Sequence, residues 1–558
     1  MRKYPPHFFA DDTQAGKIHR NRAARNSRAS TGCVRVSAGP RARAFAGLAT
    51  LLVVLLTATI AGCGTNITVI LSPPGGPTDP LTADEVAGII QRAAASIDRD
   101  SLVIAVTDRE GNVLGLFRKP DAPGEVTALL ARRFIEVDAD ELAVSLARTA
   151  SFFSNDQAPL SSSTVRFISR EHFPPAFNGT GIVTGVKDTA SGALWDIENT
   201  NRGCELSTDF ASGRDVSPAR SVDRSAPGLG IATIPGGVPL YKLNKVVGGI
   251  GVTGVPPNLG EFAALAGSTG FGPVVAPPGE VFIDGVRLPF VDQPFRPSGT
   301  ATSNPDGAYV PIPDLTNPGS TITATQGSPR AGVPEGWLVG PKASPELSAD
   351  AVRSIIENAV FRANKTRAVI RLPQGVRARF VLAVTSLTGE VLGLFRMPDA
   401  TVFSIDVAVT KARNVVYFSS TDRVVSDLAG VPLGTAVTNR TLRFGSQPFF
   451  PPGIGDSFPG PFVNLRLQNQ DNPCTQGSQP PGANQSGIVF FPGSAPLYRF
   501  GVVLVGGFGV SGDGVDQDDY VTAGGILGYE AAPFLRADNV HVRGVTLPYL
   551  KFPRAPEE

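Results

Sequence analysis

The sequence predicts an α/β chain of two tandem domains, and two observations carry that prediction. Words recur along the chain in the same order, and each copy opens with an amphipathic helix followed by a strand hairpin. "LGLFRKPDAP" (Leu114 to Pro123) returns as "LGLFRMPDAT" (Leu392 to Thr401), "GVPLYK" (Gly237 to Lys242) as "SAPLYR" (Ser494 to Arg499), and "DGVRLPF" (Asp284 to Phe290) as "RGVTLPY" (Arg543 to Tyr549). The offsets stay between 257 and 278, and repetition in one order fixes the organisation of a chain before any local propensity does. The boundaries read as domain 1 over 81–290, a Pro/Gly-rich linker over 291–345, domain 2 over 346–552 and a tail over 553–558. The linker is expected to be extended and partly disordered.

The elements follow in order. In copy one Thr82-x-x-Glu85 spells a capping box, and Val86, Ile89, Ile90, Ala93 and Ile97 fall on one helical face. The strands Leu102 to Thr107 and Val113 to Arg118 are joined by a short turn, so they pair antiparallel. Copy two repeats this with Ser348 before the helix, Phe380 to Thr385, a turn at Gly389 and Val391 to Arg396. A second helix spans Asp140 to Phe153 and, in copy two, Ile405 to Phe418. Each copy then carries a loop-rich insertion of about 75–80 residues, a length that marks a functional or wrapping segment.

Residues 1–63 read as a leader. Ala44 to Ile60 is an apolar run flanked by Arg41 and Arg43, and Ile60-Ala61-Gly62-Cys63 resembles a bacterial lipobox, which makes Cys63 the lipidation site and 64–80 a tether. The expected location is the cell envelope, lipid-anchored to a membrane. The first 43 residues hold ten Lys and Arg against two Asp, so the chain beyond them falls from a net +1 to −7. Such a chain lacks the clustered cations that nucleic acid requires. Cys204 and Cys474 lie in matching contexts of the two insertions and pair in a disulfide, stay as free thiols, or serve a metal or heme as thiolate.

Gly249-x-Gly251-x-x-Gly254 and Gly507-x-Gly509-x-x-Gly512 both spell a dinucleotide-binding pattern. That pattern needs a strand, a tight turn and a helix N-terminus at the start of a βαβ unit. Here it comes late in each copy, and the second is followed by Asp513, Asp516, Asp518 and Asp519, which would repel a phosphate. The glycines are therefore expected to admit a helix or ligand close to the strand backbone. The aspartates are expected to supply the N-cap and first-turn charges of a helix starting near Asp518, with Asp516 and Asp519 as the candidates for a hard cation.

Pro496 to Gly525, "PLYRFGVVLVGGFGVSGDGVDQDDYVTAGG", resembles the closing segment of the GlcG/HbpS-like domain family, which includes heme-binding and heme-degrading proteins and the C-terminal domain of PduO cobalamin adenosyltransferases. The resemblance implies, for both copies, an antiparallel sheet flanked by helices, heme as the candidate cofactor, and a pseudo-dimer within the chain. Copy one departs from the pattern, with Thr253 for the motif serine and Val255-Pro256-Pro257 for the acidic start. Ligand-binding candidates are His172, Tyr241, Tyr498, Ser511 and Asp513. Heme takes His, Cys, Met or Tyr as axial ligand, and only His172 and His541 remain beyond the leader. Each aligns with a phenylalanine in the other copy, which reads as ring packing, and His172 is the better ligand because it lies in an insertion. No catalytic residue is assigned. The expected function is binding of a small ligand, with a heme-degrading enzyme or an interaction scaffold as alternatives.

Overall fold

Alternation along β1 (Val103–Asp108) sets the layering of the first half. Ile104 and Val106 pack toward helix α1 (Ala83–Ala95), while Val103 and Ala105 pack toward a helix on the opposite face. All six residues of β1 are buried, as a strand covered on both faces requires. The computed structural model describes residues 79–177, 182–186, 188–199, 222, 228–330 and 332–557. These residues fall in one compact unit, Thr68–Glu558. Among them no helix is long and apolar enough to cross a membrane. Cys63 and Cys204 lie outside the described residues; Cys474 is disulfide-bonded.

From the head of the chain, β2 (Val113–Arg118) returns beside β1, the hairpin β3 (Glu125–Leu130) and β4 (Arg133–Asp138) projects from it, and α2 (Ala139–Phe153) covers the sheet. The insertion holds α3 (Ser162–Ile168) and a small hairpin of β5 (Pro175–Phe177) and β6 (Ile182–Gly185). Strands β7 (Gly237–Lys242) and β8 (Lys245–Thr253), then α4 (Pro257–Gly267), complete the half before the hairpin of β9 (Phe282–Ile283) and β10 (Val286–Arg287). The stretch expected to be a bare linker instead adds β11 (Ala308–Tyr309) to the edge of the first sheet, forms a hairpin of β12 (Ile312–Pro313) and β13 (Thr321–Ile322), and adds β14 (Gly336–Val339) to the edge of the second.

The second half runs α5 (Ala349–Ala363), β15 (Phe380–Thr385), β16 (Val391–Arg396), α6 (Ser404–Ser419), α7 (Asn439–Ser446), α8 (Val463–Asp471), β17 (Ser494–Arg499), β18 (Val503–Gly512), α9 (Val515–Gly525) and the hairpin β19 (His541–Val542) with β20 (Val545–Thr546). The two main sheets have the same antiparallel order, β11-β2-β1-β8-β7 and β14-β16-β15-β18-β17. Registers agree in detail: Thr107 faces Gly249 as Thr385 faces Gly507, and both hairpins shift register at that threonine. The capping box at Thr82 and Glu85 is present, and Ser348 caps α5.

The halves share their cores. Phe153 stacks on Phe403 with ring centres 3.9 Å apart. Trp195, from the first insertion and fully buried, joins a cluster with Phe418, Leu442 and Phe490 of the second half. The glycine pattern is settled by the same packing. A Cβ on Gly249 or Gly251 would lie 2.1 or 2.0 Å from the carbonyl oxygen of Ala147 or Ala143 on α2, and one on Gly507 or Gly509 would lie 2.1 or 2.0 Å from that of Ala412 or Ala408 on α6. Each helix thus rests on bare strand backbone, which leaves no room for a phosphate between them.

Candidate functional site

The acidic run after β18 is a set of ion pairs. Gly514, not an aspartate, occupies the N-cap of α9 and makes no side-chain cap, which corrects the expected N-cap, while Asp516 and Asp518 do stand in the first turn. The carboxylates turn instead to cations from distant segments. Asp513 meets Arg371 and accepts the Arg379 amide at 2.7 Å; Asp518 pairs with Lys411 of α6 at 2.9 Å; Asp516 and Asp519 share Arg440 of α7 at 2.5 Å each. The second oxygen of Asp519 accepts the Gly493 amide at 2.9 Å, and Asp516 also meets Lys551 at 2.9 Å. Arg440 therefore stands where a cation between Asp516 and Asp519 would sit. Among the described residues no group of three or more His, Cys, Asp or Glu is placed to hold a metal. Ser511 is buried in β18 and donates to the Ser404 hydroxyl at 3.0 Å, at the start of α6.

Two buried acids, one of this run and one in the first half, give a pH signature. Burial pushes Asp518 up to about 7 against the pull of Lys411, and burial pushes Glu261 of α4 up to about 7 despite its bonds to Ser163 and to the amides of Asp292 and Gln293. A carboxyl raised in the folded state binds its proton there while the unfolded chain has lost it. The associated stability is full below the ordinary carboxylate range and falls as pH rises from about 4 to about 7. Glu261→Gln is expected to reduce the stability difference between pH 5 and pH 8 by about 2 kcal/mol, read from urea unfolding at the two pH values. Superimposable pH profiles for variant and wild type would remove the assignment.

Of the proposed ligand residues, His172 and Tyr498 line two different clefts, and Tyr241, Ser511, Asp513, Asp516 and Asp519 line neither. Tyr241 is buried and donates to the Asn155 carbonyl at 2.8 Å. His541 lies on the exposed hairpin β19, bonded to Thr546 at 2.9 Å.

The cleft at His172, about 920 Å³, lies between the insertion of the first half, the tip of the β3–β4 hairpin and Phe449 of the second half. Its size is that of a pocket for an organic ligand. The His172 ring stacks on Phe449, its counterpart in the repeat, at 5.4 Å, so the expected ring packing is present. Packing does not use up the imidazole. A carbonyl oxygen only accepts, so Nδ1, 2.8 Å from the Thr189 carbonyl, carries a proton, and Nε2 is the ring nitrogen left to meet a ligand. This is the arrangement by which a ligating histidine is held in orientation.

Around it stand Arg132, Arg166 and Arg170, with the exposed ring of Phe134 at the rim. Arg132 pairs with Glu171. Glu198 spends its oxygens on the Ala131 and Thr233 amides and the Thr233 hydroxyl. Arg166 and Arg170 form no ion pair among the described residues, and the Nε of each is buried without a hydrogen-bond partner. Burial, with Arg166 and Arg132 nearby, holds the Arg170 guanidinium down to about 10 against the opposite pull of Glu198 and Asp292. Glu171, Asp196, Glu198 and Asp456 also line the cleft, so what sets the two arginines apart is a pair of unpartnered N–H donors, which suit an acceptor such as a carboxylate. The sequence carries a signal for Arg166 alone, since Ser161-x-x-Thr164-x-Arg166-Phe167 and Thr438-x-x-Thr441-x-Arg443-Phe444 repeat as one word; Arg170 lies outside it.

The second cleft, about 790 Å³, lies wholly in the second half, between the β15–β16 turn, the C-terminal end of α6 and Tyr498. Among the described residues neither Tyr498 Oη nor Gln485 Oε1, both buried there, has a hydrogen-bond partner.

Residues 347–526 match the family described as haem degrading protein HbpS-like. Among solved structures, the chain is similar to the PduOC:heme complex (22% identity, 33% of this chain and 94% of that one, TM-score 0.21) and to Klebsiella pneumoniae ORFY (19%, 34% and 94%, TM-score 0.22). It is similar also to a doubly substituted Streptomyces reticuli HbpS (18%, 39% and 99%, TM-score 0.19). No curated protein matches the chain.

Proposed function

We propose that this protein binds heme in the cleft at His172, as a lipid-anchored cell-envelope protein in which two HbpS-like domains form a pseudo-dimer within one chain. The family match covers the second half only; the first half supports the same reading through its identical strand order and its repeated words. The observation that carries the ligand is the pairing of an oriented imidazole with two orphaned guanidinium donors in one cleft. His172 Nε2 suits an iron, Arg166 and Arg170 suit two carboxylates, and Phe134 and Phe449 offer rings to a flat macrocycle. When bound, heme would supply an iron centre for gas or redox chemistry. The chain's own part is to orient the imidazole through Thr189, neutralise the carboxylates and shield one ring face.

Titrating the protein from residue 64 onward with hemin is expected to give a saturable Soret shift. His172→Ala is expected to weaken it at least tenfold, and Arg166→Ala with Arg170→Ala to cost about 2–4 kcal/mol of affinity, two charge-assisted bonds at 1.5–3 kcal/mol each being only partly lost. An unsaturable titration, or one indifferent to His172, rejects the heme reading. A saturable shift that decays under reductant and oxygen, with release of iron, would extend it to heme degradation.

A further inference from the structure

We propose that the second cleft, at the C-terminal end of α6, is a receptor for a guanidinium or amine cation. The proposal is independent of heme binding, and the first half shows the site filled by its own side chain. Gly111 and Gly389 mark equivalent turns: both have positive φ, and their carbonyls accept from Arg148 and Arg413 Nε at 2.9 Å in each case. Two residues before Gly111 stands Arg109, and two before Gly389 stands Leu387. Arg109 is buried and donates to the carbonyls of Ser151 and Ser154, the latter at 2.8 Å, at the end of α2. Leu387, over a third exposed, leaves the equivalent space at the end of α6 open as the cleft.

The tyrosines tell the same story. Tyr241 and Tyr498 sit at the same register shift of their hairpins, yet Tyr241 bonds the Asn155 carbonyl while Tyr498 Oη has no partner among the described residues. Gln485, more than nine-tenths buried, donates through Nε2 to Pro480 at 2.8 Å and leaves Oε1 unsatisfied. An unpaired amide oxygen, a phenol oxygen and the negative end of a helix all call for a donor, and a helix C-terminus favours a cation. Asp422 also lines the cleft and supplies a carboxylate. Arg413 also lines the cleft, bonded to the Gly389 carbonyl and the Ser486 hydroxyl; its counterpart Arg148 and the buried Arg109 are both accommodated in the first half, where Asp156 and Asp399 act on Arg109.

Agmatine, which carries a guanidinium and an amine without a carboxylate, is the probe, and acetyl-Gly-Arg-Gly-amide tests whether the cation is better presented by a peptide. Calorimetry on the wild type is expected to show saturable binding of one or both. Leu387→Arg, which restores the side chain of the first half, is expected to reduce binding at least tenfold without lowering the thermal midpoint. Tyr498→Phe and Gln485→Leu are each expected to reduce it at least threefold, and they decide alone if Leu387→Arg does not fold. Absence of saturation by either probe up to about 10 mM, or binding unchanged in these variants, overturns the proposal.

Discussion

Gly509→Ala is expected to destabilise the protein by about 3 kcal/mol or more, at the upper end of what overpacking costs. The new Cβ would stand 2.0 Å from the Ala408 carbonyl oxygen and 2.8 Å from the Ala412 amide nitrogen. Both are main-chain atoms of α6, so no side-chain rotamer can relieve the clash, and the helix must lift from β18 along its length. Gly251→Ala should behave alike in the first half, where the obstacle is the Ala143 carbonyl at 2.0 Å. Gly124→Ala is the control, because nothing lies within 4 Å of its added carbon and ordinary surface changes stay within about 0.5 kcal/mol. Urea midpoints decide: Gly509→Ala as stable as Gly124→Ala would mean that the helix does not rest on the strand.

The same glycines show what a sequence of this kind can disclose. Strand and helix identities, the capping box and the buried face of α1 were legible because local periodicity and local hydrogen bonds dictate them. The true use of the glycine pattern was legible by exclusion, from its late place in each copy and the acids beside it. Partnerships set by the fold were not. Asp518 and Lys411 are over a hundred residues apart, as are Asp513 and Arg371, so the acidic run looked like a cap until its cations were placed. The edge strand β11 is two residues long, too short for any alternation to announce it. The clefts belong to the same class of hidden feature. They arise from how the insertions pack, and His172 was found because histidine is scarce, whereas Arg166 and Arg170 were lost among many arginines.

Arg371→Met is the second large effect, expected at about 3–5 kcal/mol, the cost of removing one partner from a buried ion pair. Arg371 is buried, meets Asp513 through Nε, and reaches Asp399 with Nη1 at 2.5 Å to the carboxylate and Nη2 at 2.7 Å to the carbonyl. The Asp513 side chain has no exposure, and burial already pushes its carboxyl up against the pull of Arg371. Without the guanidinium it must take up a proton at neutral pH or stay charged with only the Arg379 amide for support. The loss should therefore shrink as pH is lowered toward 5. Asp399, a quarter exposed, can rehydrate and contributes less. Arg371→Met with Asp513→Leu should recover most of the stability, because apolar residues of similar volume replace buried pairs at little cost. The lesion also sits where the halves meet: Asp399 accepts the Asp156 amide at 3.1 Å, and Leu372 and Gln157 exchange bonds at 2.9 and 3.1 Å. Hydrogen exchange should accelerate at the amides of Asp156 and Leu372 in the single variant and return in the double one. Exchange unchanged at those amides, with stability lost all the same, would place the role of Arg371 within the second half and leave the junction to the stacked rings of Phe153 and Phe403.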